Sequence, residues 1–150
     1  MAEELKATVV SDPERVRALA HPIRLALLDL LEHGQEHTAT QCAEAIGESV
    51  ASCSFHLRIL AKYGFIEPGE RRGREKPWRA VNRRRTATPD FDDPASVRAV
   101  GALAELTLLR ETERISAFLS NIHRLPPELR DSVGLLKSAF WATPEELAQL

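Results

Sequence analysis

Between Pro13 and Lys62, apolar residues recur at three- and four-residue spacing, the pattern of helices that each bury one face. The stretch "SDPER" opens the first helix: Asp12 caps it, Pro13 suits its first turn, and Glu14 sits near its positive end. This helix runs to about Ala20 and presents Val16, Leu19 and Ala20. His21-Pro22 breaks it, because a residue before proline avoids the helical region. Pro22 starts "PIRLALLDLLEH", with Ile23, Leu27, Leu30 and Leu31 on one face and Gly34 as terminator. In "TATQCAEAIG", Thr38 and Gln41 have capping-box spacing, Gly47 ends the helix, and Cys42, Ala43 and Ile46 point inward. Ser49 caps the next helix, which reaches Tyr63 and stops at Gly64. Two short helices joined by a tight turn at Gly47 form a helix-turn-helix.

The period then changes. "GFIEPGERRGREKPWRAV" predicts short strands at 65–67 and 76–81, with Gly69 and Gly73 supplying the turn. Pro68 and Pro77 suit a two-stranded hairpin, which is all edge. The result is a hairpin, or wing, directly after the helix-turn-helix. "RRRTATPDFDDP" reads as a polar linker, and Asp93-Pro94 opens another helix. Residues 95–123 contain no proline and only Gly101, which predicts a helix about 40 Å long at ~1.5 Å per residue. Val97, Val100, Ala104, Leu108, Ile115, Phe118 and Ile122 lie on one side of it, with Leu103, Leu106 and Leu109 beside them. A helix this apolar needs partners beyond a small domain's own flank, and it is read as a dimerisation helix. Pro126-Pro127 ends it. A further helix is expected in "PELRDSVGLLKSAFWA" and a last one in "TPEELAQL", where Thr143 and Glu146 have capping-box spacing. That last helix is short, so either the natural chain continues or its end packs on a partner. The expected fold is mostly α with a small β-hairpin wing. Residues 1–85 form a winged helix-turn-helix domain, and 92–150 form a helical region for dimerisation and effector binding.

Composition narrows the picture. The 150 residues, 43% of them apolar, suit one compact domain with an added oligomerisation segment. No window approaches the ~18 uninterrupted apolar residues of a membrane span. "MAEELKATVVSDPER" begins acidic and lacks an apolar stretch, so it is not a signal peptide, and a cytoplasmic protein is expected. Cys42 and Cys53 form no CxxC and are too few for a disulfide framework; small core residues are the simplest reading. The net charge of −2 argues against indiscriminate nucleic-acid binding. The distribution is uneven: Arg71, Arg72, Arg74, Lys76, Arg79, Arg83, Arg84 and Arg85 face one acid, Glu75, over residues 71–85. A basic tip on an acidic body fits a protein that touches polyanions at one place.

On the 49–63 helix, Val50, Cys53, Leu57, Leu60 and Gly64 fall on one side, which packs into the domain. Ala51, Ser52, Ser54, Phe55, Arg58 and Lys62 fall on the others, with Phe55 nearly opposite the core stripe. A major groove admits one helix and offers thymine methyls, base edges and phosphates to such a face. Ser49, Ala51, Ser52 and Ser54 permit close approach, while Arg58 and Lys62 lie where phosphates pass. The wing cations Arg71, Arg72, Arg74 and Lys76 reach the flanking backbone or minor groove. Phe55 could instead be a core or dimer contact. His56, at the border of the core stripe, fits a packing histidine or a phosphate contact.

The motifs "LAHPIRLALLDLL", "TATQCAEAIG", "SxSFHLRILAKYGFIE" and "GREKPWR", in this order from about Asp12 to Val81, resemble the ArsR-type winged helix-turn-helix repressors, especially members with a long C-terminal helix. The resemblance implies a homodimeric transcription regulator binding operator duplex DNA. By position, Ser52, Ser54, Phe55, His56 and Arg58 match the recognition-helix segment that the family uses on DNA. Metal sensors of the family carry a Cys-x-Cys pair where "TATQCAEAIG" has Cys42 alone. Its zinc sensors place Asp/His pairs on the dimer helix, where this chain offers only His123. The metal-sensing role does not carry over, and no cofactor is expected.

Other side chains carry weaker signals. Glu32, His33, Glu36 and His37 are of metal-ligand type, but Gly34 interrupts their face. Trp78 reads as a hairpin anchor rather than a base stacker, and Phe118, Phe140 and Trp141 most simply as core. A small-molecule effector, where one acts, belongs at the dimer helix and tail, since a shift there respaces the two reading heads. There is no Gly-rich phosphate loop, no GxSxG and no His/Cys/Asp constellation of an enzyme. The rival reading is a winged-helix module whose basic tip meets an acidic protein partner.

Overall fold

The computed structural model describes residues 7–32, 35–71, 76–82 and 84–130, together with Val133 and Thr143. The elements run β1 (Ala7–Val10), α1 (Pro13–Leu19), α2 (Pro22–Glu32), α3 (Ala39–Ile46), α4 (Val50–Lys62), β2 (Ile66–Pro68), β3 (Trp78–Ala80), β4 (Arg84–Ala87), α5 (Pro94–Asn121), a 3-10 turn (Ile122–Arg124) and α6 (Pro127–Arg130).

Local chemistry sets the helix ends. The Asp12 carboxylate accepts from Arg15 N at 2.8 Å and starts α1. Thr38 and Gln41 form the reciprocal capping box of α3: Gln41 N donates to Thr38 Oγ1 at 3.2 Å, and Thr38 N to Gln41 Oε1 at 2.9 Å. Gly47, with φ 75°, turns the chain out of α3, and Ser49 Oγ accepts from Ser52 N at 3.1 Å to start α4. Gly64, with φ 74°, ends the helix in the same way.

α2, α3 and α4 pack on one another, and α1 leans on α2 and α4. Leu27, Leu28 and Leu31 of α2, Cys42 of α3, and Cys53, Leu57 and Leu60 of α4 are fully buried between them. Burying each leucine contributes about 1.5–3 kcal/mol. Val50 departs from the expected stripe. It is 45% exposed, at the first position of α4, while Cys53 in the same turn is fully buried.

β2 and β3 form the antiparallel wing, in the register Ile66↔Ala80, Glu67↔Arg79 and Pro68↔Trp78. The hairpin is not all edge. Trp78 N donates to His37 O at 2.8 Å and His37 N to Trp78 O at 3.1 Å, so the loop before α3 covers the second side of β3. Trp78 packs against the core at this joint, as an anchor would.

The expected linker is partly sheet. β4 pairs in parallel with β1, from Ala7↔Arg84 to Val10↔Ala87, and Val10 is buried. Each strand is four residues long, too short for a period to stand out. Neither becomes a strand except through its distant partner.

The chain divides into two compact units, Met1–Glu113 and Arg114–Leu150. The division falls inside α5. The first turns of α5 belong to the first unit: Ser96, Ala99 and Leu103 are buried, and Val100 and Leu106 pack on the same core. Ser96 fastens the joint, since its Oγ donates to Ser11 O at 2.6 Å and accepts from Asp90 N at 3.0 Å. In the second unit, every described residue except Leu125 is exposed. Phe118 is among them, so it is not core within its subunit. Gly34, Gly73, Phe140, Trp141, Glu146 and most of both expected C-terminal helices lie outside the described residues.

Candidate nucleic-acid interface

α4 divides into two faces. Cys53, His56, Leu57 and Leu60 are buried, whereas Ala51, Phe55, Arg58 and Lys62 are exposed or half-exposed, as are Ser52 and Ser54. Phe55 is 55% exposed, which leaves an aromatic ring facing solvent from the middle of a well-packed helix. Its small neighbours keep the approach to it open. Arg58 Nε donates to Ser54 O at 3.1 Å, so its guanidinium lies along the helix surface. Lys62 Nζ stands 5.4 Å from the Tyr63 ring centroid, within cation–π reach.

His56 is only 7% exposed and stands on the inner side of α4, apart from the face that carries Phe55 and Arg58. Its ring lies 4.3 Å from that of His21, centroid to centroid, and Arg24 Nη1 is 3.5 Å from its Nδ1. His21 also caps α2, its Nδ1 accepting from Ile23 N at 3.2 Å. Burial lowers the pKa of both imidazoles; the Arg24 charge lowers that of His21 further, and His21 followed by Arg24 lowers that of His56. The "LAHPIR" segment thus seats the base of α4, a role that reading His21 as a helix breaker misses. Its signal is the polar His21 and Arg24 flanking an otherwise apolar helix start.

In the wing, Arg71 and Lys76 are exposed and form no ion pair among the described residues. Arg79 and Arg85 are neutralised. Arg79 binds Glu67 directly across the hairpin, Nη2 to Oε1 at 2.8 Å, and Arg85 pairs with Glu32. The basic tip therefore carries less free charge than its residue count implies. Arg72 and Arg74 lie outside the described residues.

Of the candidate metal ligands, the two carboxylates are otherwise engaged. Glu32 holds Arg85, Glu36 accepts from Glu70 N at 3.2 Å, and His37 is tied through its backbone to Trp78; His33 lies outside the described residues. Among the described residues no group of His, Cys, Asp and Glu is placed to hold a metal ion. Cys42 and Cys53 are buried free thiols. Burial, with Cys53 nearby, pushes the Cys42 thiol up to about 11, so it stays protonated.

On α5 the expected dimerisation stripe divides. Val100 serves the first unit's own core, while Val97, Ala104, Leu108, Ile115, Phe118 and Ile122 are exposed. Thr107 and Thr112 turn their hydroxyls back onto the carbonyls of Leu103 and Leu108, both at 2.8 Å. No helix among the described residues is long and apolar enough to cross a membrane.

Residues 19–68, from the end of α1 through β2, match the family model described as a helix-turn-helix domain. Together with the hairpin that follows, this part of the chain is a winged helix-turn-helix domain. Among curated proteins none matches the chain. Solved structures similar to it include the homodimeric winged helix-turn-helix DNA-binding domain of a possible ArsR-family transcriptional regulator from Mycobacterium bovis, at 25% identity over 65% of this chain and 77% of that one, TM-score 0.42. An antimony-specific transcriptional repressor is 26% identical over 67% of this chain and 78% of that one, TM-score 0.43. An ArsR-like transcriptional regulator from Rhodococcus is 22% identical over 75% and 90%, TM-score 0.41.

Proposed function

We propose that the chain is a homodimeric DNA-binding transcription regulator of ArsR type, repressing by occupying an inverted-repeat operator. One observation carries this reading. α4 buries Cys53, Leu57 and Leu60 and turns Phe55 to solvent among small residues, with Arg58 and Lys62 on the same outward side. An exposed aromatic on such a helix is suited to thymine methyls in a major groove, and the flanking cations to phosphates. Wing contacts from Arg71, Arg72, Arg74 and Lys76 supply sequence-independent affinity and its salt dependence. A second copy covers the exposed apolar face of α5 and sets two recognition helices about 34 Å apart, one turn of duplex. Effector binding on the α5 side would change that spacing.

Selection from a pool of random duplexes, followed by gel shift at two salt concentrations, tests the proposal. Recovery of a palindrome is expected. Replacing Arg72 and Arg74 with Ala should weaken binding to all duplexes and flatten the salt slope, whereas Ser54→Ala should relax sequence choice. Binding without sequence enrichment, or none at all, sinks the regulator reading.

A further inference from the structure

We propose that the cleft between α1, α2 and the C-terminal end of α4 binds an oxyanion of the phosphate class, held by Arg17, Arg24 and Lys62. The cleft lies outside the wing and meets the face that carries Phe55 only at Lys62. It is open, about 630 Å³ in volume, and Glu14, Ile59 and Tyr63 complete its walls. The three cations come from three helices. None of them pairs with a carboxylate among the described residues. Glu14, on the same cleft, is the one acid against them.

Arg24 is the centre of the site. Its Nη2 donates to Arg17 O at 3.2 Å, and its Nη1 lies 3.5 Å from His56 Nδ1. Its Nε is buried and has no hydrogen-bond partner. Burial lowers the Arg24 pKa from its ordinary value, which registers the cost of holding this charge without a counterion. The Arg24 guanidinium is half-buried, and an anion in the cleft accepts from the part of its planar fork that stays open. Arg17 and Lys62, in the last turns of α1 and α4, supply the further charge that a phosphate requires. The imidazoles of His21 and His56 stand beside Arg24, so a bound anion raises their pKa values and reports its own arrival.

Two sources share this chemistry: a backbone phosphate of bound duplex, or a free phosphorylated small molecule. Only the first rests on the regulator reading. Arg17→Gln removes an exposed cation of the cleft that stands on α1, apart from the Phe55 face, and circular dichroism confirms that the fold is kept. Arg24→Lys keeps the charge but loses the fork. Inorganic phosphate is titrated at constant ionic strength against chloride, with the His21 and His56 ring resonances followed by NMR. Duplexes of unrelated sequence are bound over a salt range.

With a backbone source, Arg17→Gln binds every duplex several-fold more weakly, and its salt slope is shallower by about 0.9 for the one phosphate it no longer neutralises. With a free ligand, duplex affinity and slope do not change in Arg17→Gln. The wild type then shows saturable phosphate-dependent histidine shifts, which Arg24→Lys and Arg17→Gln both weaken. The proposal is overturned if phosphate moves the histidines no more than chloride does and Arg17→Gln binds duplex as the wild type does. If the wild type binds no duplex at all, the regulator reading fails, and the phosphate titration still decides this site.

Discussion

Phe55 and His56 are neighbours on α4 with opposite surroundings: one ring faces solvent, the other is packed on His21. A hundred-degree step per residue is enough to separate an exposed position from a buried one at the border of the core stripe. Phe55→Ala is therefore expected to change stability by no more than about 0.5 kcal/mol in urea denaturation while lowering duplex affinity. Leu57→Ala, at a fully buried position of the same helix, should cost about 2–5 kcal/mol. A large stability loss in Phe55→Ala would mean that the ring packs within the protein. The paired imidazoles give a further expectation. Their folded pKa values lie below the ordinary 6.5, the first cause being burial, with Glu48 opposing weakly. Between the folded value and about 6.5 the unfolded chain binds protons that the folded chain refuses. Their contribution is complete above about pH 6.5 and is lost as pH falls through the lowered folded values. The urea midpoint should hold down to that pH and then decline, with a shallower decline in His56→Gln. Equal declines in variant and wild type would assign the titration to other groups.

The helices were legible because their signals are local. Thr38 and Gln41, Gly47 and Ser49 act on backbone groups three or four residues away, so spacing alone identifies them. Gly47→Ala should cost about 1 kcal/mol, because its left-handed φ of 75° penalises a side chain although space around it is open. Denaturant titration of the purified variant measures this. The β1–β4 pair was not legible. Its two strands are far apart in the chain, from Ala7–Val10 to Arg84–Ala87, and its arginines and threonines read as a solvated linker until Val10 and Ala87 meet. The pairing predicts that Val10→Ala costs about 1.5–2 kcal/mol, from about 0.8 kcal/mol per buried methylene-sized group. A shift in thermal midpoint below about one degree would count against a structural role for the N-terminal strand. Ser96 escaped notice for the same reason: a serine early in a helix looks neutral until Ser11 and Asp90 stand beside it.

Across the molecule, apolar surface gathers on α5. Leu108, Leu109, Ile115, Phe118 and Leu119 are all well exposed, and Leu108 reaches 68%. Monomers seldom leave so many large apolar side chains in water. In sedimentation velocity the wild type is expected to be a dimer at micromolar concentration, and Ile115→Glu with Phe118→Glu a folded monomer. The same variant should lose the advantage of a palindromic duplex over a single half-site. A monomeric wild type at that concentration would contradict the dimer. Charge also has to be judged across the molecule. Basic residues crowd the 71–85 segment, but Arg79 and Arg85 are held by Glu67 and Glu32.

Helix positions, caps, the turn at Gly47 and the outward direction of Phe55 could all be read from the chain, because each depends on neighbours within a few residues. Contacts between distant segments could not. The parallel β1–β4 pair, the His37 bridge that covers β3, the burial of Ser96 and the neutralised arginines arise only where separate elements meet. The cleft of Arg17, Arg24 and Lys62 is of this kind. Each cation looks solvated along the sequence, and packing α1, α2 and α4 together half-buries Arg24 and leaves its Nε without an acceptor.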